Sequence, residues 1–324
     1  MIGWLRRGCL LAVVVAVAAC GTATTPVASQ SGPVGRGGAA MAYDAAHRVV
    51  VMFGGMDAAQ KALGDTWIWT GSHWAQKFPA DKPSPRSDAG MTFDAARGVI
   101  VLFGGAGPGA GDALNDTWTW DGTDWHEQHP AHQPDRRFGF GFAYDPPVRE
   151  SLMFGFTGSA SPRTPSTWAW DGSDWTALQT ALPNDLLFGP SAVYQPSTSS
   201  LVAVGAKTWK WTASAWVELA SSGPQGRQWA PMALDATGSA VLYAGVYMGV
   251  NDTWVWDGGA WKQLNPLHVP TNPSQGSSPA AFAFDAATGQ TVLFGGSDAN
   301  ASTWTWDGSD WTDQTAAASA ARLG

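Results

Sequence analysis

A triplet of tryptophans recurs six times along this chain, and this repeat limits the possible folds more than any other feature. In every copy the second Trp follows the first by two residues, and the third follows the second by five. The second Trp recurs at separations of 51, 50, 41, 45 and 50 residues. Only Trp4 and Trp229 lie outside the six triplets, which are Trp67/Trp69/Trp74, Trp118/Trp120/Trp125, Trp168/Trp170/Trp175, Trp209/Trp211/Trp216, Trp254/Trp256/Trp261 and Trp304/Trp306/Trp311. A period of this length indicates a repeat architecture in which each unit packs against its neighbours.

Each copy contains four short apolar stretches, which are clearest in the second copy. These are "AGMTFD" (89–94), "GVIVLFGG" (98–105), "DTWTWD" (116–121) and "WHEQH" (125–129). A four-stranded sheet cannot bury its two faces alone, whereas stacked sheets bury them against each other, and large indoles fill the wedge between them. The sequence therefore predicts an all-β, six-bladed propeller with four antiparallel strands per blade.

Turn residues separate these stretches at fixed positions. An Asp begins the connection between the first and second strands in five copies, where its side chain can accept a hydrogen bond from an N–H two residues on. An Asp-Gly pair links the third and fourth strands in four copies, and this pair is a strong hairpin signal. The first set is Asp44, Asp94, Asp145, Asp235 and Asp285, and the second begins at Asp121, Asp171, Asp257 and Asp307.

An apolar strand ending in Gly-Gly, followed by an aromatic pair and a later Trp, resembles the kelch repeat. The strand ends that carry this resemblance are Phe53–Gly55, Phe103–Gly105 and Phe294–Gly296. The match covers about residues 36–316 and is weaker in copies three to five, where Phe156 replaces the second Gly in copy three. The resemblance implies a six-bladed kelch-type propeller. Kelch propellers serve as protein-binding modules, sugar-acid isomerases and copper oxidases, so the resemblance leaves the function open.

Two enzyme classes fit the residues poorly. The copper oxidases with this fold use a tyrosine crosslinked to a cysteine, and no Cys follows Cys20 in this chain. Sialidases carry a Ser-x-Asp-x-Gly-x-x-Trp motif, whereas Gly follows Asp immediately in "WDGSDW". We therefore expect neither galactose-oxidase-type copper chemistry nor sialidase activity.

The N-terminal segment resembles a bacterial lipoprotein signal. Arg6 and Arg7 precede an apolar run at residues 8–19, which is short for a membrane span, and "VAAC" ends at Cys20. This pattern predicts a lipoprotein signal peptide at 1–19, cleavage before Cys20 and lipidation of that cysteine. An ordinary cleaved signal with a chance cysteine is the alternative. The expected product is an extracytoplasmic protein that a lipid anchors to the cell membrane.

The predicted mature chain consists of a flexible tether at residues 20–35, a propeller at 36–316 and a tail at 317–324. The tether sequence is small, polar and proline-bearing, which is typical of a segment without a packed core. The formal charge of −8 argues against a nucleic-acid partner, which would call for a basic surface. We expect a monomer whose membrane contact is limited to its lipid.

An arginine stands seven residues before the end of the first strand in four copies: Arg36, Arg86, Arg137 and Arg227. Equivalent positions in four blades could place four guanidinium groups around one mouth of the channel, where they would bind a carboxylate such as that of a sialic acid or a uronate. The alternative is structural, with each Arg paired to an Asp or stacked on a Trp of the next blade. Both readings remain open at the level of sequence.

Two further features are weak candidates for a site. His126, His129 and His132 are spaced by three in a strand-to-loop segment, which directs successive side chains to different faces. The connections at 106–115 and 157–166 are long and rich in glycine or proline, as binding loops and tolerated insertions both are. We expect no metal and no cofactor.

A non-enzymatic binding module is the function that these features favour, with a protein or a glycan of the cell envelope as its partner. The alternative is an envelope enzyme that acts on an anionic sugar, similar to a sialic-acid isomerase, through the arginine cluster and an acid or base such as His268 or His132. A purely structural role in an envelope assembly is the third possibility.

Overall fold

The computed structural model describes residues 32–109, 111–156, 164–220, 223–224, 227–245, 251–270, 279–295 and 301–315. These residues all belong to the unit formed by residues 31–324. The predicted signal peptide at 1–19, the lipidation site Cys20, the tether up to residue 31 and the tail at 317–324 lie outside the described residues.

Six four-stranded antiparallel sheets, each formed by consecutive strands, confirm the predicted propeller. A separate two-stranded pair is formed by β1 (Arg36–Gly37) and β4 (Met56–Asp57). Blade 1 consists of β2 (Ala40–Asp44), β3 (Val49–Phe53), β5 (Thr66–Trp69) and β6 (Trp74–Lys77). Blade 2 consists of β7 (Gly90–Asp94), β8 (Val99–Ala106), β9 (Ala113–Trp120) and β10 (Trp125–Gln128). Blade 3 consists of β11 (Gly141–Asp145), β12 (Glu150–Phe156), β13 (Pro165–Trp170) and β14 (Trp175–Leu178).

The second half of the described chain repeats this arrangement. Blade 4 consists of β15 (Ser191–Gln195), β16 (Ser200–Val204), β17 (Thr208–Trp211) and β18 (Trp216–Ala220). Blade 5 consists of β19 (Met232–Leu234), β20 (Ala240–Tyr243), β21 (Thr253–Trp256) and β22 (Trp261–Leu264). Blade 6 consists of β23 (Ala281–Asp285), β24 (Gln290–Gly295), β25 (Ser302–Trp306) and β26 (Trp311–Asp313). Two short 3-10 helices, Asn184–Leu186 and Pro196–Thr198, flank β15.

The connection predicted at 106–115 is shorter than expected. Strands β8 and β9 continue their pairing as far as Ala106 and Ala113, after an irregularity in register between Phe103 and Gly105. The pairing therefore shortens the predicted loop, and the Gly107 N–H donates to the C=O of Asp112 at 2.6 Å beyond the last strand pair. In blade 3 the pairing likewise reaches Phe156 and Pro165, and residues 157–163 lie outside the described part of the chain.

The ring closes without strand exchange, since every blade takes its four strands from one continuous stretch. Blade 6 packs directly against blade 1 through a core cluster that includes Met52, Trp74, Val292 and Phe294. The rings of Trp74 and Phe294 lie 5.4 Å apart, edge to face. Apolar packing therefore joins the first blade to the last, as it joins the other neighbours.

Each of the six core clusters combines residues of two adjacent blades, which explains the abundance of tryptophan. The second Trp of every triplet is buried, and it tilts against the third Trp of its own blade. A buried indole removes roughly 150–250 Å² from water, so these rings supply much of the adhesion between blades.

The third Trp of a triplet also makes a specific hydrogen bond to the preceding blade. Its indole N–H donates to the threonine hydroxyl that stands just before the first Trp of that blade. Five of the six blade junctions have this bond, at donor–acceptor distances of 2.7–3.0 Å: Trp74–Thr303, Trp125–Thr66, Trp175–Thr117, Trp261–Thr208 and Trp311–Thr253. At the junction of blades 3 and 4, the equivalent atoms Trp216 Nε1 and Thr167 Oγ1 are buried without a partner.

The predicted aspartate turns between the first and second strands form at Asp44, Asp94, Asp235 and Asp285, whereas the Asp145 side chain makes no such bond to a described residue. The carboxylates of Asp44 and Asp94 accept hydrogen bonds from backbone N–H groups two residues on, each at 3.0 Å. Asp121 and Asp307 do the same in the Asp-Gly turns between the third and fourth strands, each at 2.8 Å. These turns fix the register in which the buried indoles meet.

Candidate functional site: the axial mouth of the propeller

Six residues at equivalent positions encircle the propeller axis immediately before the inner strands. Five of the six residues donate their N–H to the C=O of the counterpart in the preceding blade, at distances of 2.7–3.1 Å. The sixth, Pro279, has no N–H to donate. We call this set the axial ring: Gly38, Asp88, Gly139, Gly189, Trp229 and Pro279.

Five members of the axial ring adopt the left-handed backbone conformation that favours glycine, with φ between 52° and 65°, and two of these five are not glycine. A residue with a side chain costs about 1–3 kcal/mol there, and such strain is concentrated at functional sites. Asp88 (φ 53°) and Trp229 (φ 59°) are these two strained residues. They are also the only ring members with a side chain able to recognise a ligand through a polar or aromatic group.

The axial ring surrounds a cavity of about 180 Å³ on the propeller axis. All six blades line this cavity with the ring residues and the first residues of their inner strands. Most side chains of the wall are apolar, with Met41, Met91, Phe142, Met232 and Phe282 among them, but the exposed lining is nearly as polar as it is apolar. Apolar side chains combined with polar groups that fix orientation are typical of a ligand pocket.

The indole of Trp229 lies over two glycines of the axial ring. A Cβ added to Gly139 would overlap the six-membered part of this indole, and a Cβ added to Gly189 would press against its pyrrole side. The two glycines therefore make room for the ring as well as adopting its backbone conformation. Trp229 is partly buried, and no residue that the structure describes accepts a hydrogen bond from its indole N–H. An aromatic face with a free donor is thus held at the mouth of the cavity.

Asp88 is the acidic member of the axial ring. Its Oδ2 accepts a hydrogen bond from the Ser87 hydroxyl at 2.8 Å, while its Oδ1, which faces Gly38, is buried without a partner. Burial raises the pKa of Asp88 to about 6, and the Ser87 bond opposes this only in part. The carboxyl group therefore has one buried oxygen without a hydrogen-bond donor.

Three of the four arginines expected to bind a ligand are engaged with aspartates. Each is buried and donates to both oxygens of an Asp that lies two residues before the first Trp of the triplet. In blade 2, the Nη1 and Nη2 atoms of Arg86 each lie 2.7 Å from Asp116, and the Trp118 indole N–H donates to the same carboxylate at 2.7 Å. Arg36 with Asp65 and Arg227 with Asp252 repeat this arrangement in blades 1 and 5.

The aspartates of these pairs remain ionised. Partial burial alone would raise the pKa of Asp116, but the hydrogen bonds and charge of Arg86 outweigh it and lower this pKa. Asp65 and Asp252 show the same balance with their own arginines. A guanidinium whose charge is compensated in this way holds the strand ends of its blade together, because its Nη1 also donates to the C=O of Gly54, Gly104 or Ala244.

Arg137 departs from the pattern because Ser166 takes the place of the aspartate. Its Nη1 donates to Ser166 Oγ at 2.9 Å and its Nε to the C=O of Asp135 at 2.9 Å, but its Nη2 is buried without a partner. Burial lowers the pKa of Arg137 to about 10, and the charge of Asp135 offsets this only in part. Arg137 is therefore the one member of the arginine set whose guanidinium has no carboxylate partner among the described residues.

The structure does not bring these arginines together as free groups at the axial mouth. None of them lines the axial cavity, and Arg36, Arg86 and Arg137 are no more than 1% exposed. A cluster of ligand-binding arginines would require the guanidinium groups to leave their present partners. The acid or base candidates also lie apart from the cavity, because the exposed His132 and His268 bind Asp174 and Asp310 at 2.8 Å.

The described residues contain no group of three or more His, Cys, Asp or Glu side chains arranged to hold a metal ion. His126 lies 2.9 Å from Asp121, in a different turn from the one that binds His132. Within the described part of the chain, no helix is long and apolar enough to cross a membrane.

Asp88 and Trp229 were not predicted as site residues, although the sequence carries a signal for them. Each stands two residues after a repeated Arg, at the position where other copies have Gly38, Gly139 or Gly189. Trp229 is also the one tryptophan beyond the N-terminal segment that belongs to no triplet. A departure from glycine at a repeated position would have singled out both residues.

Comparison with known proteins supports the fold. No family model and no curated protein sequence matches the chain. Among solved structures, a protein titled "Structure of YjhT" is similar with a TM-score of 0.60 and 15% sequence identity, over 87% of this chain and 98% of that one. At this identity the likeness shows a shared six-bladed propeller fold and no more.

Proposed function

We propose that this chain is a lipid-anchored kelch-type propeller of the bacterial envelope that binds a glycan at its axial mouth. The observation that carries the proposal is Trp229, whose indole is held over Gly139 and Gly189 in a strained backbone conformation at the rim of the axial cavity. A binding role fits a mouth that presents one aromatic face, one carboxyl group and apolar walls.

The chemistry of the rim favours a sugar over a purely apolar ligand. The apolar C–H face of a pyranose can lie flat on an indole, which offers a large rigid surface with a polar N–H at its edge. A sugar hydroxyl can accept from the Trp229 indole N–H, and the acidic Asp88 also lines the cavity. The cavity of about 180 Å³ holds a monosaccharide-sized group and not an extended chain. We therefore expect recognition of a terminal sugar.

The test is a glycan-array screen with the full chain and its Trp229→Gly variant. Glycine restores the residue found at this position in three other blades and fits the left-handed φ, so the variant should fold. We expect the wild type to bind a group of glycans with a common terminal sugar and the variant to lose at least ten-fold in affinity.

Phe78→Ala provides the matched control, because Phe78 is 83% exposed and lies outside the cavity lining. This variant should bind as the wild type does. A wild type that binds no glycan, or a Trp229→Gly variant that binds with unchanged affinity, would overturn the proposal.

The anchoring part of the proposal is tested separately. It is supported by "VAAC", which ends at Cys20, and by the basic and apolar residues before it. In a bacterial host that processes lipoproteins, the wild type should sediment with membranes, whereas Cys20→Ser should move almost entirely to the soluble extracytoplasmic fraction. Cys9→Ser is the control and should leave the distribution unchanged. A Cys20→Ser protein that still sediments with membranes would contradict lipid anchoring.

A further inference from the structure

Blade 3 departs from the arginine-aspartate pairing of blades 1, 2 and 5. Ser166 replaces the aspartate that compensates the arginine in those blades, so Arg137 Nη2 has no partner. This departure lies on the side of blade 3 that faces blade 2, because the Arg137 N–H donates to the C=O of Leu114 and its C=O accepts from the N–H of Gly105. The missing Trp216-to-Thr167 bond lies on the opposite side, at the junction of blades 3 and 4, since adjacent residues of a strand point to opposite faces of the sheet.

A cavity of about 240 Å³ lies beside these residues. Ser166, Thr167 and Trp168 line it from β13, and Thr180, whose hydroxyl is also buried without a partner, lines it from the segment that follows β14. Asp135, an exposed residue, also lines this cavity. Water fills polar cavities of this size, and so do small polar ligands.

The unpartnered Nη2 of Arg137 can only donate a hydrogen bond. Arg137 also carries a positive charge that is fully buried, and a buried charge is strongly unfavourable without a counter-ion. A ligand that satisfies this guanidinium must be an acceptor and an anion.

The chain does not supply this anion from the nearby connection. The sequence between β12 and β13, "TGSASPRT" (157–164), contains no acidic residue. In blade 2, by contrast, Asp116 reaches Arg86 and the indole N–H of Trp118 with a single carboxylate. The missing group in blade 3 is thus one carboxylate, positioned beside Ser166 between Arg137 and Trp168.

We propose that the side of blade 3 that faces blade 2 carries a binding site for a small carboxylate anion, which occupies the place of the missing aspartate beside Ser166 and pairs with Arg137. The bound anion neutralises the buried guanidinium and completes the arrangement that the aspartates form in blades 1, 2 and 5. This site is separate from the axial mouth and does not depend on glycan binding.

The test exchanges the residues of blades 3 and 2 at this position, through Ser166→Asp and Asp116→Ser, and uses acetate as the probe. Thermal unfolding of the full chain is followed while sodium acetate is added at constant ionic strength, with acetamide as the uncharged control of the same shape. We expect the wild type to gain a saturable rise of about 2–4 °C at ten times the dissociation constant. Ser166→Asp should unfold at a higher temperature without acetate and show no such rise.

Asp116→Ser is the reciprocal variant, since it gives blade 2 the arrangement of blade 3. It should unfold at a lower temperature than the wild type and recover with acetate more than the wild type does. Ser166→Ala, which removes the hydroxyl without adding a carboxylate, should keep the acetate response. Equal responses to acetate in the wild type and Ser166→Asp would overturn the proposal, as would a wild type that responds equally to acetamide.

A second measurement applies if Ser166→Asp does not fold. The line width of ¹³C-labelled acetate is recorded with the wild type and with Asp116→Ser. Broadening of the acetate signal by the wild type, with stronger broadening by Asp116→Ser, supports the site. Absence of broadening with the wild type overturns it.

Discussion

Replacement of Trp120 by alanine is expected to lower the free energy of unfolding by about 3–5 kcal/mol. Trp120 is 1% exposed and belongs to the core cluster between blades 1 and 2, with Phe53, Ile100 and Trp125. Its ring lies 5.4 Å from that of Trp125, which in turn packs 5.3 Å from Phe53 of the neighbouring blade. Alanine would therefore remove a ring from between two blades and leave a cavity that rigid sheets cannot close.

Urea unfolding of the full chain, followed by circular dichroism, measures this loss. Phe78→Ala is the matched control, because it also truncates an aromatic ring, but one that is 83% exposed. We expect the control to differ from the wild type by no more than about 0.5 kcal/mol. A loss below about 1 kcal/mol for Trp120→Ala would mean that this indole contributes little to the contact between blades.

The blades could be predicted from the sequence because each copy buries its sheet faces against the neighbouring blades with tryptophans at the same spacing. The triplet that contains Trp118, Trp120 and Trp125 places one indole beside the arginine-aspartate pair, one in the core and one across the blade junction. Because the tryptophans keep the same spacing in every copy, this spacing identified the four-stranded blade as the repeated unit. The aspartate turns, such as those at Asp44 and Asp121, are local and were predictable for the same reason.

The pairing of the arginines could be anticipated only as one of two alternatives. Arg86 and Asp116 are 30 residues apart, and nothing in their local sequence shows that they meet. The pairing follows one register in blades 1, 2 and 5, where the aspartate stands two residues before the first Trp. Blade 3 keeps the arginine but has Ser166 at that position, and this difference carries the inference about the site beside Arg137.

The residues of the axial mouth were not predicted because their arrangement is a product of the whole ring. Consecutive members of the axial ring are 40–51 positions apart, and their hydrogen bonds, including the one from Gly38 to Pro279, exist only when the six blades close around one axis. Three of the six members are glycines, which individually are typical of turns. Asp88 and Trp229 stand out as candidate site residues only when they are compared with the glycines at the same position of other copies.

Hydrogen exchange at the backbone of the axial ring is the second result with a large expected effect. The N–H groups of Gly38, Asp88, Gly139, Gly189 and Trp229 each donate to the preceding blade. They lie at the centre of the disc, so breaking one bond requires neighbouring blades to separate. Opening of such a core unit approaches the free energy of global unfolding, of about 5 kcal/mol or more.

The central claim is that the six blades close into one rigid ring, which holds Trp229 over the axial mouth. Residue-resolved exchange of the five ring amides at neutral pH tests it most directly, with the exposed Lys82 as the fast reference. The predicted result is exchange slowed by roughly four orders of magnitude at all five amides, with similar protection around the ring. Exchange at any of the five, Trp229 above all, as fast as in an unstructured peptide would contradict the claim.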